Sequence, residues 1–339
     1  MTENHPLDFQ KSQYFQSSMN AAVVERAALE ARLRRGIAEQ QFHLNYQPQV
    51  DARSGAVIGF EALMRWTDPD TGAISPGVFI PLAEETGLIL PLGAWVIEAA
   101  CRQARLWETA GMPALPISIN VSGIQFERQQ VADLLRQAIA NHQLRPDRIE
   151  IEITESAIMH HPERAIEALR ELKAIGVRIA LDDFGTGYSS LSYLRRFPID
   201  TLKIDRSFIL EIDRNPEDAE IVAAIVAMAH TLGLRVVVEG VETTAQLAVI
   251  VEKGCDVVQG YVYHRPLAPP EALALMVVPQ RRRAGPGQTR ICPSGAAIRS
   301  PWLFPPAHQR RYCPCRDRSS HPASGHWPTG RSRSTPATS

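Results

Sequence analysis

Short apolar segments alternate with longer amphipathic stretches along most of the chain. The apolar segments are rich in Ile and Val, as is typical of strands buried on both faces. Eight of them are predicted to be strands: residues 42–50, 57–65, 117–121, 148–154, 177–182, 201–205, 235–239 and 257–263. Helical periodicity fills most of the gaps, for example at residues 91–110, 131–142, 162–175 and 217–232. This alternation predicts a largely parallel sheet covered by helices.

The number of strands favours a closed barrel, because eight strands alternating with helices can close on themselves. Residues 51–56 join the first two strands, and Gly55 in this short connection predicts a hairpin. We therefore predict an α/β fold, a (β/α)8 TIM-like barrel with one antiparallel strand. An open doubly wound sheet is the alternative.

A polar segment and a helix precede the barrel. Residues 1–38 are predicted to form an N-terminal segment that ends in a linker-like helix. Leu29, Leu33 and Ile37 recur every fourth residue and give this helix an apolar face that packs on another element. The barrel itself is assigned to residues 39–278.

A basic tail follows the barrel. Residues 279–339 are rich in Arg, Pro and Ser and show no periodicity, so they are predicted to be disordered. From Arg281 onward the tail has eleven arginines and one acid, whereas the whole chain has a net charge of −1. The body is therefore acidic, which argues against binding of a nucleic-acid polymer. Zinc binding by Cys313 and Cys315, or contact of the tail with nucleic acid or anionic lipid, is less favoured.

Cysteine usage and hydropathy predict a cytoplasmic location. Cys101 and Cys255 are interpreted as packed thiols in a reducing compartment. The N-terminus shows no apolar run of the signal-peptide type. Residues 221–238 form the longest apolar run, but polar residues interrupt it, so we interpret it as a helix and a strand and expect no membrane segment.

The sequence RIALDDFGTGY is the first candidate for chemistry. A buried strand ends at Asp182 and Asp183, and Gly185 and Gly187 then allow a sharp turn. Two adjacent carboxylates repel each other unless a cation lies between them, so the pair is a candidate seat for divalent metal. Taken alone, the motif is explained more simply as a solvated turn.

Polar residues also stand near the ends of the other predicted strands, where a barrel places its active site. A strand-end acid or amide is unremarkable by itself, but a succession across seven strands favours a functional site. These residues are Glu61, Arg65, Asn120, Glu152, Glu155, Lys203, Asp205, Glu239, Glu242 and Gln259. Their oxygen ligands predict a hard cation, magnesium or manganese, with calcium as an alternative.

Two reaction classes fit this set of residues. Divalent cations held by acids, with Lys203 and Arg65 nearby, suit attack of activated water on a phosphodiester. Sugar hydrolysis by a carboxylate pair is the rival class, although the set contains more acids than that reaction needs. No Ser-His or Cys-His pair supports an acyl-enzyme mechanism.

The motifs together resemble those of the EAL family of cyclic di-GMP phosphodiesterases. The tripeptide Glu61-Ala62-Leu63 is part of EALMRW, and YQPQ, SINVSG, EITES, DDFGTGYSSL, LKID, VEGVE and QGY occur in the family's order over about residues 39–270. The resemblance implies a barrel with one antiparallel strand. It also implies hydrolysis of cyclic di-GMP to linear pGpG with Mg²⁺ or Mn²⁺, two ions per site.

The resemblance also implies roles for single residues. The metal ligands would be Glu61, Asn120, Glu152, Asp182 and Asp183. The catalytic residues would be Glu61, Lys203 and Glu239, and the substrate contacts Gln47, Arg65 and Gln259. Coupling of the site to a homodimer would involve Glu155, Phe184, Gly185, Thr186 and Gly187.

Some relatives of this type have lost catalysis and act as receptors or interaction modules. Glu61, Lys203 and Glu239 distinguish the active members, and all three are present, so we favour an enzyme. A catalytically silent cyclic di-GMP receptor or protein-interaction module is the alternative. Met64 stands where Leu is usual, and this small departure touches no catalytic position.

Overall fold

The computed structural model describes residues 23–128, 131–185 and 191–277. Its strands are β1 (Phe42–Asp51), β2 (Val57–Asp68), β3 (Gly72–Ile74), β4 (Ile117–Asn120), β5 (Ile149–Thr154), β6 (Arg178–Phe184), β7 (Thr201–Ile204), β8 (Arg235–Val238) and β9 (Val257–Val258). The predicted disordered tail, residues 279–339, and most of the predicted N-terminal segment lie outside these ranges.

Helices surround the strands. They are α1 (residues 23–38), α2 (Pro76–Glu85), α3 (Ile89–Thr109), α4 (Gly123–Arg128), α5 (Val131–Asn141), α6 (Glu155–Met159), α7 (Pro162–Ile175), α8 (Leu191–Leu194), α9 (Pro216–Thr231), α10 (Thr244–Glu252) and α11 (Pro269–Val277). Short 3₁₀ helices span Pro146–Arg148 and Arg206–Phe208. Within the described ranges, no helix has both the length and the apolar character needed to cross a bilayer.

Eight strands close into a barrel. The hydrogen-bonded order is β1-β9-β8-β7-β6-β5-β4-β2, and β1 also pairs with β2, so the ends of the sheet meet. β1 runs antiparallel to both of its neighbours, while the other barrel pairs are parallel. The predicted barrel with one reversed strand is confirmed, and the open-sheet alternative is wrong. β3 adds to the outer end of β2.

The main core lies between the strands and the surrounding helices. Ile117 and Ile119 of β4, and Ile149 and Ile151 of β5, alternate with polar residues and are almost fully buried. Since successive side chains of a strand point to opposite faces, the apolar set packs against the helices and the polar set lies inside the barrel. This alternation positions the site described below.

A second core attaches α1 to the barrel. Leu33 is fully buried beside Phe42, Trp66 and Phe79, and Leu29 and Ile37 pack at its edge. The predicted apolar face of the N-terminal helix is therefore confirmed. The Trp66 ring stacks on Phe42 with centroids 5.5 Å apart.

An ionic cluster also joins α1 to β2. The Asp68 carboxylate is fully buried, and its Oδ2 lies 3.1 Å from Arg32 Nε and 3.7 Å from an Arg35 guanidinium nitrogen. Its Oδ1 accepts hydrogen bonds from the backbone N–H groups of Asp70 and Thr71. Burial opposes ionisation, but these partners outweigh it and hold the pKa of Asp68 at about 2.

Two elements depart from the sequence prediction. The last barrel strand was predicted over residues 257–263 but spans only Val257–Val258, because Gly260–Tyr263 forms a turn closed by a Tyr263 N–H to Gly260 C=O bond of 3.2 Å. The short strand β3 was not predicted, since three residues give no readable alternation.

Replacing Asp68 tests how α1 is held. We expect Asp68→Asn to speed amide hydrogen exchange in residues 23–38 while exchange in the barrel strands stays unchanged, because the ion pairs to Arg32 and Arg35 are lost. Asp213→Asn, on an exposed surface, is the control. Because the folded pKa lies below the unfolded value, the stabilisation is complete above the unfolded pKa and is lost as pH falls through the folded pKa. The difference from the parent should therefore be full at neutral pH and vanish as pH falls to about 2.

Candidate active site

The barrel collects polar side chains at the carboxyl ends of its parallel strands. Register explains the set: Asn120 aligns with Glu152 across β4 and β5, and Gln47 of the reversed strand aligns with Glu61 of β2. Residues two apart on one strand share a face, and aligned residues on neighbouring strands share it too. Most of the side chains predicted from strand ends therefore meet inside one barrel. Asp205 instead accepts a hydrogen bond from the Ser207 N–H, and Glu242 pairs with Arg206 on the surface.

Lys203 of β7 lies at the centre of this cluster and is 1% exposed. Its Nζ lies 2.5 Å from Glu152 Oε2, 2.5 Å from Glu239 Oε1 and 3.2 Å from Asp182 Oδ1. The three carboxylates come from β5, β6 and the residue that follows β8. One ammonium group thus links three parts of the barrel wall.

Glu61 forms a second group of contacts on the β2 side. Its Oε1 accepts a hydrogen bond of 2.5 Å from Asn120 Nδ2, and its Oε2 accepts one from Gln259 Nε2. The same Gln259 nitrogen lies 3.4 Å from Gln47 Oε1. The structure therefore brings together four residues that the sequence predicts in separate strands.

Three carboxylates have the spacing of a metal site. Single oxygens of Glu61, Glu152 and Glu239 all lie within 4.8 Å of one another. Glu152 is 1% exposed, and among the described residues its buried Oε1 has no hydrogen-bond partner. A buried carboxylate oxygen without a donor is costly, so a cation fits this donor set.

Asp183 lies beside this cluster in a strained conformation. Its φ is 54°, unusual for a residue other than glycine, and the β6–β7 register shifts between Leu181 and Phe184. Its backbone N–H donates to Asp182 Oδ1 at 2.9 Å. This shift in register is a β-bulge that ends the regular strand at the predicted acid pair. Contacts with neighbouring residues must offset the backbone strain at Asp183.

Burial and the crowding of charges shift the pKa values of the residues in this cluster. Burial raises the pKa of Glu152 well above its ordinary value, although Lys203 opposes the rise. Burial likewise raises the pKa of Glu239 to about 8, and burial with the nearby Asp182 raises that of Asp183 to about 6. Burial alone would lower the pKa of Lys203, but its three carboxylate neighbours raise it well above normal. The ammonium group is therefore charged, and the acids resist full ionisation.

Arg65 lies on the same strand as Glu61 but outside the hydrogen-bonded cluster. It is half-buried, and its Nη1 donates to the backbone oxygen of Met64 at 2.9 Å. Burial lowers its pKa, while Tyr261 and Glu61 act in the opposite direction. Arg65 thus places a partly desolvated positive charge beside the acidic cluster.

Glu155 fixes the chain after Asp183. It is 1% exposed at the start of α6, and its Oε2 accepts a hydrogen bond of 3.0 Å from the Gly185 N–H. Gly185 has φ 97° and lies against the Phe208 ring, so a side chain would not fit there. Phe184 is buried at the end of β6. Thr186 and Gly187 belong to a stretch that the structure does not describe.

A lower polar layer inside the barrel was missed by the sequence analysis. Glu150 accepts hydrogen bonds of 2.8 Å from both Ser118 and Thr201, and Gln49 Nε2 lies 3.4 Å from Ser118 Oγ. Ser118, Glu150 and Thr201 each stand two residues before a predicted site residue. The period of two was therefore the available signal.

The EAL domain family model matches residues 30–266. The bifunctional diguanylate cyclase/cyclic di-GMP phosphodiesterase MucR of Pseudomonas aeruginosa is 46% identical over 261 residues, which cover 77% of this chain and 38% of MucR. The cyclic di-GMP phosphodiesterase NbdA of the same organism is 42% identical over 256 residues, covering 76% of this chain and 33% of NbdA. The chain thus spans about two fifths or less of these relatives.

A solved structure shares the fold. The phosphodiesterase of PaMucR, in a complex with c-di-GMP, superposes with a TM-score of 0.69 and 46% sequence identity, and the match covers 71% of this chain and 98% of that chain. The family match extends over more than half of the sequence and includes every strand of the barrel. On these grounds the chain belongs to the EAL domain family.

Proposed function

We propose that this chain hydrolyses cyclic di-GMP to linear pGpG with the help of two divalent cations, Mg²⁺ or Mn²⁺. The observation that carries the proposal is the buried cluster of acids around Lys203 at the carboxyl end of an EAL barrel. The names of MucR and NbdA and the c-di-GMP complex of the MucR phosphodiesterase support the same substrate.

The charges of the cluster suit two divalent cations. Five carboxylates lie around a single lysine, so full ionisation leaves four negative charges uncompensated within the cluster. Two divalent cations carry that charge. The residues proposed to hold them are Glu61, Asn120, Glu152, Asp182 and Asp183. All of them offer oxygen, the ligand type that magnesium and manganese prefer.

When bound, such cations lower the pKa of coordinated water and stabilise the charge that develops on phosphorus oxygens. The side chains around them have distinct tasks. Glu239 is accessible to solvent on one side, and its raised pKa makes its carboxylate, once ionised, a stronger proton acceptor than an ordinary glutamate. Lys203 Nζ supplies a fixed positive charge beside the reacting position and holds the three carboxylates that it contacts.

The substrate is held by groups around the acids. Arg65 is proposed to contact a phosphate of cyclic di-GMP, because its half-buried guanidinium is charged and close to Glu61. Gln47 and Gln259 are buried beside Glu61, and amide groups suit the hydrogen-bonding edges of guanine and the attacking water. Gln47 is assigned to the guanine side and Gln259 to the water and metal side.

The link between Glu155 and Gly185 supports a coupling role. The hydrogen bond ties α6 to the backbone two residues after Asp183, so movement of that backbone would move a proposed metal ligand. We propose that this stretch, with Phe184, Thr186 and Gly187, connects metal binding to formation of a homodimer. Cys101 and Cys255 are buried and form no disulfide within the described ranges, which supports a reducing compartment, the cytoplasm, for the reaction.

The proposal is tested by incubating the purified full chain with cyclic di-GMP after removal of metal, with and without added Mg²⁺ or Mn²⁺. Chromatography should show pGpG only when metal is present. Cyclic di-GMP binding is measured in parallel by calorimetry. Binding without any product would identify a catalytically silent receptor instead, and absence of both would favour a protein-interaction module.

Substituting Lys203 separates chemistry from binding. We expect Lys203→Ala to reduce turnover at least about a hundredfold, as is typical for loss of a group that assists proton transfer or charge stabilisation. Cyclic di-GMP binding should be largely retained. Lys253→Ala is the matched control, since Lys253 pairs with Glu220 on the surface.

Glu61→Ala should abolish turnover, because a proposed metal ligand is removed. Parent-like turnover of Glu61→Ala would refute the assignment of the metal site.

Substituting Glu152 tests metal binding without an assay of activity. Saturating Mn²⁺ should stabilise the metal-free parent by about 2.7 kcal/mol at a hundredfold excess over its Kd. Glu152→Gln should lose this stabilisation, while its metal-free melting temperature should equal or exceed that of the parent, because a buried charge is removed. Glu167→Gln, at an exposed position of α7, is the control.

The same measurement has an expected pH dependence. Asp183 and Glu239, with pKa values of about 6 and about 8, retain protons below those values, and a bound cation must displace them. The Mn²⁺-induced shift in melting temperature should therefore grow as pH rises from about 6 to about 8. A shift that is constant over this interval would contradict the ionisation of these acids on metal binding.

Removing the tail tests the proposed domain boundary. We expect deletion of residues 281–339 to leave hydrolysis and melting temperature unchanged, because the barrel strands and the proposed site lie before residue 278. Activity and far-ultraviolet circular dichroism of the shortened chain provide the measurement. An inactive or unfolded product would show that the tail is part of the folded unit.

A further inference from the structure

A cavity lies at the end of the barrel opposite the acidic cluster. It has a volume of about 570 Å³, within the range of small-molecule sites. We call it the basal pocket and define it by its lining residues Asp51, Ile58, Ala114, Leu115, Pro116, Arg148, Arg178, Gly233, Leu234, Arg235, Asp256 and Val257. Arg178 and Arg235 are the first residues of β6 and β8, which places them at the amino-terminal mouth of the barrel.

The arginines of the basal pocket are poorly paired. Within the described ranges, neither Arg178 nor Arg235 has a salt bridge or a side-chain hydrogen bond that the structure shows. Arg178 aligns with Glu150 across β5 and β6, yet that carboxylate accepts its bonds from Ser118 and Thr201. Within the described ranges, no ion pair joins Arg178 to Glu150.

Arg148 adds a third guanidinium. Its side chain is 11% exposed, and its Nε lies 3.3 Å from Glu108 Oε1. The geometry is not that of a hydrogen bond, so this buried N–H has no hydrogen-bond partner among the described residues. A buried donor without a partner is rare, and an acceptor in the pocket would satisfy the guanidinium.

The two acids of the pocket are already engaged. Asp51 Oδ1 accepts hydrogen bonds from the N–H and hydroxyl of Ser54, both at 2.6 Å. Asp256 Oδ2 accepts one from the Val236 N–H and lies 2.9 Å from His230 Nε2. These contacts fix the two carboxylates in local structure. Since Arg148 pairs with Glu108, Arg178 and Arg235 are the guanidinium groups of the pocket that lack an ion pair within the described ranges.

The remaining wall of the pocket is apolar. Ile58, Leu115, Pro116 and Leu234 line it beside the arginines. Planar guanidinium groups bind phosphate oxygens with two parallel hydrogen bonds, and an apolar wall favours an organic body over a bare ion. We propose that the basal pocket binds a small phosphorylated organic molecule, with its phosphate on Arg178 and Arg235. This site is independent of the proposed hydrolysis.

Calorimetric titration of the full chain with phenyl phosphate tests the proposal, with a chelator present so that no metal at the acidic cluster competes. We expect saturable binding at one site, tighter than that of inorganic phosphate by several-fold because the ring contacts the apolar wall. Citrate is the comparison for a carboxylate anion. Tighter binding of citrate than of phenyl phosphate would refute the phosphate class, and no saturable binding of phenyl phosphate would refute the site.

Variants locate the binding. Arg178→Gln with Arg235→Gln should weaken phenyl phosphate binding at least tenfold, and Arg235→Gln alone, at an exposed position, should weaken it by a smaller factor without risk to folding. Arg170→Gln, on the exposed face of α7, is the matched control and should bind like the parent. Circular dichroism checks that the double variant is folded. Binding that is unchanged in both pocket variants would overturn the assignment.

Discussion

The contact of one buried ammonium group with three carboxylates is the constraint on which the site depends. Lys203 is 1% exposed and contacts Glu152, Asp182 and Glu239, which stand on or after three different strands. Removing such a group from water costs several kcal/mol, and only good geometry with opposite charges offsets that cost. The barrel supplies this geometry because it holds the four residues on rigid, hydrogen-bonded strands.

Closure of the barrel by a reversed strand completes the site. β1 needs only the short turn after Asp51 to reach β2, and its reversal aligns Gln47 with Glu61. Gln259 follows the very short β9 on the other side of β1 and donates to Glu61. The reversed strand therefore does more than close the sheet. Gln47 on β1 and Gln259 after its neighbour β9 lie beside Glu61, which Asn120 contacts from β4 on the other side of β2.

Periodicity in the sequence predicted the barrel and most of the side chains gathered at its carboxyl end, and the family resemblance added Gln47. Neither predicted how these side chains contact one another. Alternation in β5 exposes Glu152 to the interior, and a strand end marks Asp182. The central position of Lys203 depends on the stagger of neighbouring strands, which no single segment encodes. The positive φ of Asp183 is likewise set by packing around the bulge. The lower layer around Glu150 was readable by the same period of two, had the strands been followed back from their ends.

Two buried acids in this chain differ in how completely their carboxylate oxygens are paired. Asp68 has arginines beside one oxygen and backbone N–H groups on the other, and its pKa falls to about 2. Glu152 is equally buried, but one oxygen has no hydrogen-bond partner among the described residues and its pKa rises. The second arrangement does not stabilise the folded state, because an incompletely paired buried charge lowers its stability. The acids around Lys203 are therefore best explained by a positively charged ligand, which would neutralise the carboxylates that the protein's own side chains leave incompletely paired.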